Sequence, residues 1–363
     1  MKKLLLLCCA ALMIVALAAD YDDYDEQTAT VFSYAEALAL TIEGLPVIQD
    51  LENAIEDLEE QLDDLRTMYR EIRWFLSSTV LDRFRRQMTE VERQIQHFRL
   101  DIETAKAQAE LSLRRAILDI ANAAMDIDAA EASLLISTEH LRHVSLRHEF
   151  GLASANDLRL AEQRLEQELI RLENLRLTQS NAQGRLNHLL GQPPYQETVV
   201  EFERVLPEIP DNLQHHISTI APNTPASRQI HINVLRRRDD ITQHVDQCRY
   251  TSRRNCETYI ALRTAHERVR LDHAIAIRQT ETALRTAYSS LEQLFNREAA
   301  ALVNLDQAVT RLETAHTNFE LGRVTRLDVD RAYFDVLSAA MDVERVLYEQ
   351  WLLGLLLRYP GLL

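Results

Sequence analysis

The chain has 363 residues and a formal charge of −16, from 56 acidic side chains against 40 basic ones. It holds only 7 Gly and 8 Pro, which excludes sandwiches and doubly wound sheets because those folds need many turns. Apolar residues make up 46% of the chain, too many for a disordered protein. The acidic balance argues against nucleic acid as a partner. Composition therefore predicts an all-α protein with very long helices.

The start of the chain has the features of a bacterial secretory signal peptide. A basic segment at residues 1–3 precedes an apolar run at residues 4–19, and residues 16–18 (Ala-Leu-Ala) match a cleavage signal. The run is shorter than the ~20 residues of a membrane span. We therefore predict a signal peptide over residues 1–18, with an uncleaved anchor as the alternative. Cys8 and Cys9 lie too early in the chain for a convincing lipidation site.

Prolines divide the rest of the chain into two long stretches. None occurs between residues 47 and 192 or between residues 226 and 359. Because proline breaks helix interiors, each stretch is predicted to form antiparallel helical hairpins. The predicted organisation is a first hairpin repeat at 19–192, a Pro-containing linker at 193–225 and a second hairpin repeat at 226–363.

Small and apolar residues recur every three or four positions from Ile102 to Val144, with one gap at Thr138. This spacing predicts a helix seam with coiled-coil packing. Many of the seam residues are Ala, which lets helices approach closely. An ordinary coiled coil and a curved wall of helices both fit this seam.

The two stretches contain the same turn motif, 171 residues apart. Residues 150–158 align with residues 321–329, and each copy is predicted to be a tight turn between two antiparallel helices. The Gly is predicted to end one helix in the left-handed conformation. The Ser or Thr caps the next helix, and the Asp completes a capping box. The paired positions are Gly151 and Gly322, Ser154 and Thr325, and Asp157 and Asp328.

Each repeat is predicted to place one long helix between two shorter ones. In the first repeat the helices are predicted at about residues 48–76, 80–149 and 154–190. At ~1.5 Å per residue the middle helix would be about 105 Å long.

At these residues the sequence resembles the outer membrane efflux protein family, the TolC-like proteins. The family pattern is Gly, two residues, Ser or Thr, two residues and Asp, and a repeat closes with Leu-Leu-Gly, as at 189–191 here. The short opening helix of the family fits residues 35–40, followed by Pro46. The resemblance implies an α-barrel protomer and a homotrimeric tunnel for solute export. It also implies two partners, a periplasmic adaptor (membrane fusion) protein that contacts the tips and an inner-membrane pump.

The resemblance also implies a pore constriction just after the second tip. Asp328 matches the first constriction carboxylate of the family, whereas Arg331 stands at the second position and Phe319 replaces the Tyr that latches the closed state. Family members insert two β-strands into each repeat, but at 72–82 and 246–258 this sequence has only short helical interruptions. The alternative is therefore a non-channel periplasmic or secreted helical-bundle protein derived from that fold. The predicted location is the outer membrane or the periplasm.

Cys248 and Cys256 are the two cysteines that remain after signal removal. A disulfide is predicted, because an even count in an oxidising compartment favours pairing. Free thiols are one alternative, and a zinc site with His244 is another, although its spacing is irregular and its ligands are too few. The sequence contains no G-x-S-x-G, Walker, H-E-x-x-H or G-x-G-x-x-G motif. We therefore expect no enzymatic activity, no cofactor and no bound metal.

Overall fold

The computed structural model describes residues 29–75, 77–247 and 257–362. These residues form eight α-helices, one pair of short β-strands and two 3-10 turns. In chain order the elements are β1 (Thr30–Ser33), α1 (Tyr34–Glu43), α2 (Pro46–Ile72), α3 (Ser78–Glu149), α4 (Ala155–Leu189), β2 (Thr198–Glu201), α5 (Leu213–Ile220), a 3-10 turn (Ala221–Asn223), α6 (Pro225–Gln247), α7 (Glu257–Glu320), α8 (Arg326–Arg358) and a 3-10 turn (Pro360–Leu362).

Two of the sequence predictions fall outside the described residues. The signal peptide over residues 1–18 is one, and the pairing of Cys248 with Cys256 is the other. Both stay predictions, as do the boundaries of the repeats and of the linker.

The predicted all-α fold is confirmed, and each repeat has one long helix between two shorter ones. The long helices are α3, with 72 residues, and α7, with 64. Pro46 and Pro225 stand at the first positions of α2 and α6. An N–H at this position makes no hydrogen bond within the helix, so proline, which lacks the N–H, is tolerated there. At the first predicted interruption, α2 ends at Ile72 and α3 begins at Ser78.

A small parallel sheet was not predicted from the sequence. Thr30 of β1 pairs with Thr198 of β2, and the register continues to Ser33 and Glu201. The side chain of Asn187, fully buried at the end of α4, donates to the carbonyls of Pro193, Pro194 and Gln196 at 3.0, 3.2 and 2.7 Å. This amide therefore organises the turn that leads into β2, a segment predicted only as linker.

The described residues divide into two compact units, and each unit draws on both sequence repeats. The first unit contains the residues up to Tyr34, Arg115–Arg204 and Leu294–Glu349. The second contains Ala35–Arg114, Val205–Gln293 and the residues from Gln350 onward. The predicted seam runs along α3, where its small and apolar positions are buried or half-buried and the gap at Thr138 is exposed.

Each unit has its own apolar core. In the first unit Ile127 and Ala130 of α3 pack against Leu172 of α4. In the second unit α2 and α3 pack through a longer row of aliphatic residues: Ile48, Ile55, Leu62, Leu65, Val91, Ile95 and Ile102. Among the described residues, no helix carries an apolar stretch long enough to cross a bilayer.

Candidate functional site

The first tip is the turn between α3 and α4. Gly151 follows the end of α3 with φ of 70°, the left-handed conformation that favours glycine. Its N–H donates to the carbonyl of His148 at 2.9 Å, and the N–H of Leu152 donates to the carbonyl of Arg147 at 2.7 Å. These two bonds form a Schellman motif, which satisfies carbonyls that the helix end would otherwise leave without partners.

A capping box starts α4 three residues later. The Ser154 hydroxyl accepts a bond from the N–H of Asp157 at 3.2 Å, and the Asp157 carboxylate accepts from the N–H of Ser154 at 2.9 Å. The bonds from the side chain and backbone of Ser154 lower the pKa of Asp157, and Arg147 adds to the effect. Asp157 is therefore held as an anion at the positive end of α4.

The second tip, between α7 and α8, repeats this geometry. Gly322 has φ of 68°, and the N–H groups of Gly322 and Arg323 donate to helix carbonyls, each at 2.8 Å. The Asp328 carboxylate accepts from the N–H and the hydroxyl of Thr325 at 2.9 and 2.7 Å. The local turn chemistry predicted from the sequence is therefore present at both tips, while the functional role of these residues stays a prediction.

The Asp328 carboxylate of the second tip interacts with groups of both repeats within the first unit. Hydrogen bonds from the side chain and backbone of Thr325 lower the pKa of Asp328, and electrostatic interactions with Arg331 and with His143 lower it further. Arg331 Nη1 lies 4.0 Å from Asp328 Oδ1. Because His143 belongs to α3 and Asp328 to α8, a group of the first repeat acts electrostatically on a predicted constriction residue of the second repeat.

A second histidine of α3 belongs to the same cluster. Burial lowers the pKa of His140 most, and Arg164, Arg331 and His143 lower it further. Sequence reasoning missed His140 and His143. Their three-residue spacing on one helix face is visible in the sequence, but nothing local reveals that they lie near Arg331.

At both tips, large apolar side chains are exposed to solvent and are not buried in a core. Phe150 and Leu152 at the first tip are 76% and 68% exposed, and Leu321 at the second is 59% exposed. Phe319, one residue before the end of α7, is 40% exposed. Grouped exposed apolar side chains are typical of contact surfaces.

A groove of about 680 Å³ lies along α7 in the second unit, and a cleft of about 530 Å³ lies behind the first tip between α3 and α4. The cleft combines basic groups with apolar walls and one capping carboxylate. In the described ranges, no three His, Cys, Asp or Glu side chains are placed to hold a metal ion. The residues that line the cleft include His140, Arg147, Arg164, Asp157, Val144 and Leu160.

No protein-family model matches this chain, and no curated protein matches it by sequence. Solved structures of outer membrane channels share its fold. The CmeC outer membrane channel of Campylobacter jejuni superposes with a TM-score of 0.66 at 10% identity, over 90% of this chain and 85% of CmeC. The outer membrane protein VceC of Vibrio cholerae gives 0.57 at 12% identity, over 76% of this chain and 75% of VceC.

The open state of the MtrE outer membrane channel of Neisseria gonorrhoeae gives a TM-score of 0.55 at 13% identity, over 90% of this chain and 88% of MtrE. At such low identities the likeness establishes the fold and nothing finer. The chain therefore has the fold of TolC-like outer membrane channels.

Proposed function

We propose that this chain is the outer-envelope component of a bacterial efflux or type I secretion system. Three copies form a helical tunnel that passes solutes received from an inner-membrane pump. The exported chain lies in the outer membrane or the periplasm. Its tips dock a periplasmic adaptor protein, and Asp328 and Arg331 narrow the mouth of the tunnel.

One observation carries this proposal most directly. Two copies of the same capped turn occur in a chain with the fold of outer membrane channels, and both copies belong to the same compact unit. A duplicated, rigid and apolar tip is suited to contact with a partner. Because each turn is fixed by backbone and capping bonds, its exposed side chains are presented without an ordering cost.

The surface of α4 supports assembly of several copies. One face of α4 is buried through Ala161, Leu172 and Leu186. Away from that face, large apolar side chains are more than half exposed: Leu160, Leu169, Ile170 and Leu177. Ile170 and Leu177 lie seven residues apart on the side of α4 opposite the buried face, and we call this pair the second apolar stripe. A helix with a second apolar stripe is suited to a second neighbour, as in a closed wall of helices.

The first test is the oligomeric state of the processed chain, measured by light scattering with and without detergent. A mass three times that of the processed chain would support the tunnel, and electron microscopy should then show a lumen. A monomer that needs no detergent would refute the autonomous channel. It would instead support the alternative of a non-channel helical-bundle protein.

The second test addresses docking at the tips. A photo-crosslinking residue at Leu152 or Leu321 should capture a periplasmic adaptor protein in the source cell, whereas the same residue at Tyr195 should not. Tyr195 is a suitable control because it is 91% exposed and lies outside both tips. Equal capture from all three positions would contradict specific docking at the tips.

A further inference from the structure

The turn that joins α2 to α3 exposes two adjacent aromatic side chains. Trp74 is 76% exposed and Phe75 is 86% exposed. Such large apolar groups usually pack in a core, and side by side on a surface they indicate a binding partner. Trp351 gives the contrast, because it is only 3% exposed in the same unit.

The residues around this turn are basic although the chain as a whole is acidic. Residues 66–86 contain six Arg and only two acids, in a chain of net charge −16. Since each helical residue rises ~1.5 Å, the basic side chains nearest the turn lie within about 12 Å of it along α2 and α3. This distance is close to the Debye length of ~10 Å, so the charges act together. All six arginines are exposed: Arg66, Arg70, Arg73, Arg83, Arg85 and Arg86. Two of them pair with carboxylates, Arg66 with Glu92 and Arg85 with Asp82.

Contacts between α2 and α3 hold the end of this hairpin. Arg85 Nε donates to the Tyr69 hydroxyl at 3.0 Å, and Arg66 pairs with Glu92 at 2.8 Å. The guanidinium of Arg73 lies 4.7 Å from the centre of the Trp74 ring. The aromatic pair therefore lies at the end of a hairpin whose two helices are joined by side-chain contacts. The guanidinium of Arg73 lies beside Trp74.

We infer that this hairpin end, comprising Trp74, Phe75 and the surrounding arginines, binds the headgroup region of an anionic lipid bilayer. Trp74 enters the interface, where amphipathic aromatic rings are favoured, and the apolar ring of Phe75 enters the boundary of the acyl chains. The arginines reach phosphate oxygens, and each basic group near an anionic surface strengthens binding. The contact is made at the bilayer surface, and it does not depend on the proposed export role.

Charge complementarity favours lipid over a protein partner of mixed charge. Four more basic than acidic groups gather in 21 residues around two aromatic rings. This combination matches the sequence features of interfacial anchors, in which an apolar tip is flanked by Lys or Arg.

The test uses the fluorescence of Trp74 in the full chain. The chain has two Trp, and because Trp351 is buried, added vesicles should change only the emission of Trp74. Vesicles containing phosphatidylglycerol should shift this emission to the blue, and brominated lipid should quench it. Vesicles of phosphatidylcholine alone should shift the emission of Trp74 less. Unchanged Trp74 emission with anionic vesicles would overturn the inference, even if the chain floats with the vesicles through another segment.

Flotation of variants supplies the second readout. Replacing both Trp74 and Phe75 with Ala should lower partitioning into anionic vesicles by at least about tenfold. Tyr195→Ala is the matched control, since Tyr195 is 91% exposed but no Lys or Arg lies between residues 186 and 203. Equal loss in the control, or no loss in the double variant, would overturn the inference.

A variant with fewer charges measures the electrostatic contribution to lipid binding. Replacing Arg83 and Arg86 with Gln should weaken binding to anionic vesicles by about fivefold per residue and leave binding to phosphatidylcholine unchanged. Light scattering of the double aromatic variant tests whether this surface binds another copy of the chain instead of lipid. If the oligomeric mass of this variant falls, and vesicles leave the Trp74 emission of the unmodified chain unchanged, the surface binds protein and the lipid proposal is wrong.

Discussion

Asp157 and Asp328 each fix the start of a helix although both side chains are exposed to solvent. Each carboxylate accepts hydrogen bonds from the backbone N–H and the hydroxyl of a residue three positions earlier. A capping box of this kind joins a short sequence motif to a defined backbone turn. The residue types alone therefore predicted both turns.

Loss of one capping hydroxyl tests this local role. Thr325→Ala should destabilise the start of α8 by about 1 kcal/mol, because the N–H of Asp328 then loses its side-chain acceptor. Hydrogen exchange of the amides in the first turn of α8 would measure the loss. Thr325→Ser keeps the hydroxyl and should exchange like the unmodified chain. Equal exchange in the Ala variant would contradict the role of the cap.

The lowered pKa of Asp328 predicts a pH dependence of the same turn. A carboxyl group whose pKa is lower in the folded than in the unfolded chain stabilises the fold. This stabilisation is fully present at pH values above the pKa of the group in the unfolded chain, near 3.9. That stabilisation is lost as the pH falls through the folded pKa of Asp328. Exchange in the first turn of α8 should therefore accelerate under acid, and Asp328→Asn should remove much of this acceleration. An Asn variant with the same acid response would contradict the assignment.

At the scale of elements, Arg114 of α3, which forms an ion pair with Glu110 of the same helix, is also bonded to α8 in the second unit. Arg114 pairs with Glu110 at 3.0 Å and donates to the carbonyl of Trp351 at 2.8 Å. Its guanidinium also lies 4.5 Å from the centre of the Trp351 ring. Glu110 is only 6% exposed, so one side chain joins a buried charge, a helix carbonyl and an aromatic face.

Removing one member of this pair should lower the free energy of unfolding more than removing both members. Arg114→Leu should lower the free energy of unfolding by about 3–5 kcal/mol, because the buried Glu110 carboxylate loses its cation. The double variant Glu110→Leu, Arg114→Leu should be less destabilised than the single one. Chemical denaturation followed by circular dichroism measures both. A double variant less stable than Arg114→Leu alone would contradict this account.

Helices and strands differed in how well the sequence predicted them. The seam of α3 was visible because its spacing of three and four residues lies within one helix. The pairing of β1 with β2 was not visible, since Thr30 and Thr198 are far apart in the chain and each strand has only four residues. Hydrogen bonds between such distant segments leave no local periodic signal.

At the scale of the whole molecule, the apolar stripe of α4 predicts assembly. Leu177→Glu and Ile170→Glu place a charge where we propose that a neighbouring copy packs. Each should lower the mass measured by light scattering from a trimer towards a monomer, with unchanged helix content.

Thr178→Glu is the matched control for this prediction. Thr178 is exposed on the same helix next to Leu177, so the substitution adds the same charge beside the stripe and should leave the trimer intact. Equal dissociation in the control would show that charge alone separates the copies and that the stripe is not the interface.

The sequence by itself determined the helical class, the break between α2 and α3 and the capped geometry of both tips. Each depends on residues within one turn or one helix, where sequence spacing dictates which groups meet. Only the tertiary structure placed His143 near Asp328, joined β1 to β2 and left Trp74 and Phe75 exposed on a basic hairpin end. These features depend on the folded path of the chain, because burial and through-space charge arise between segments that are distant in sequence.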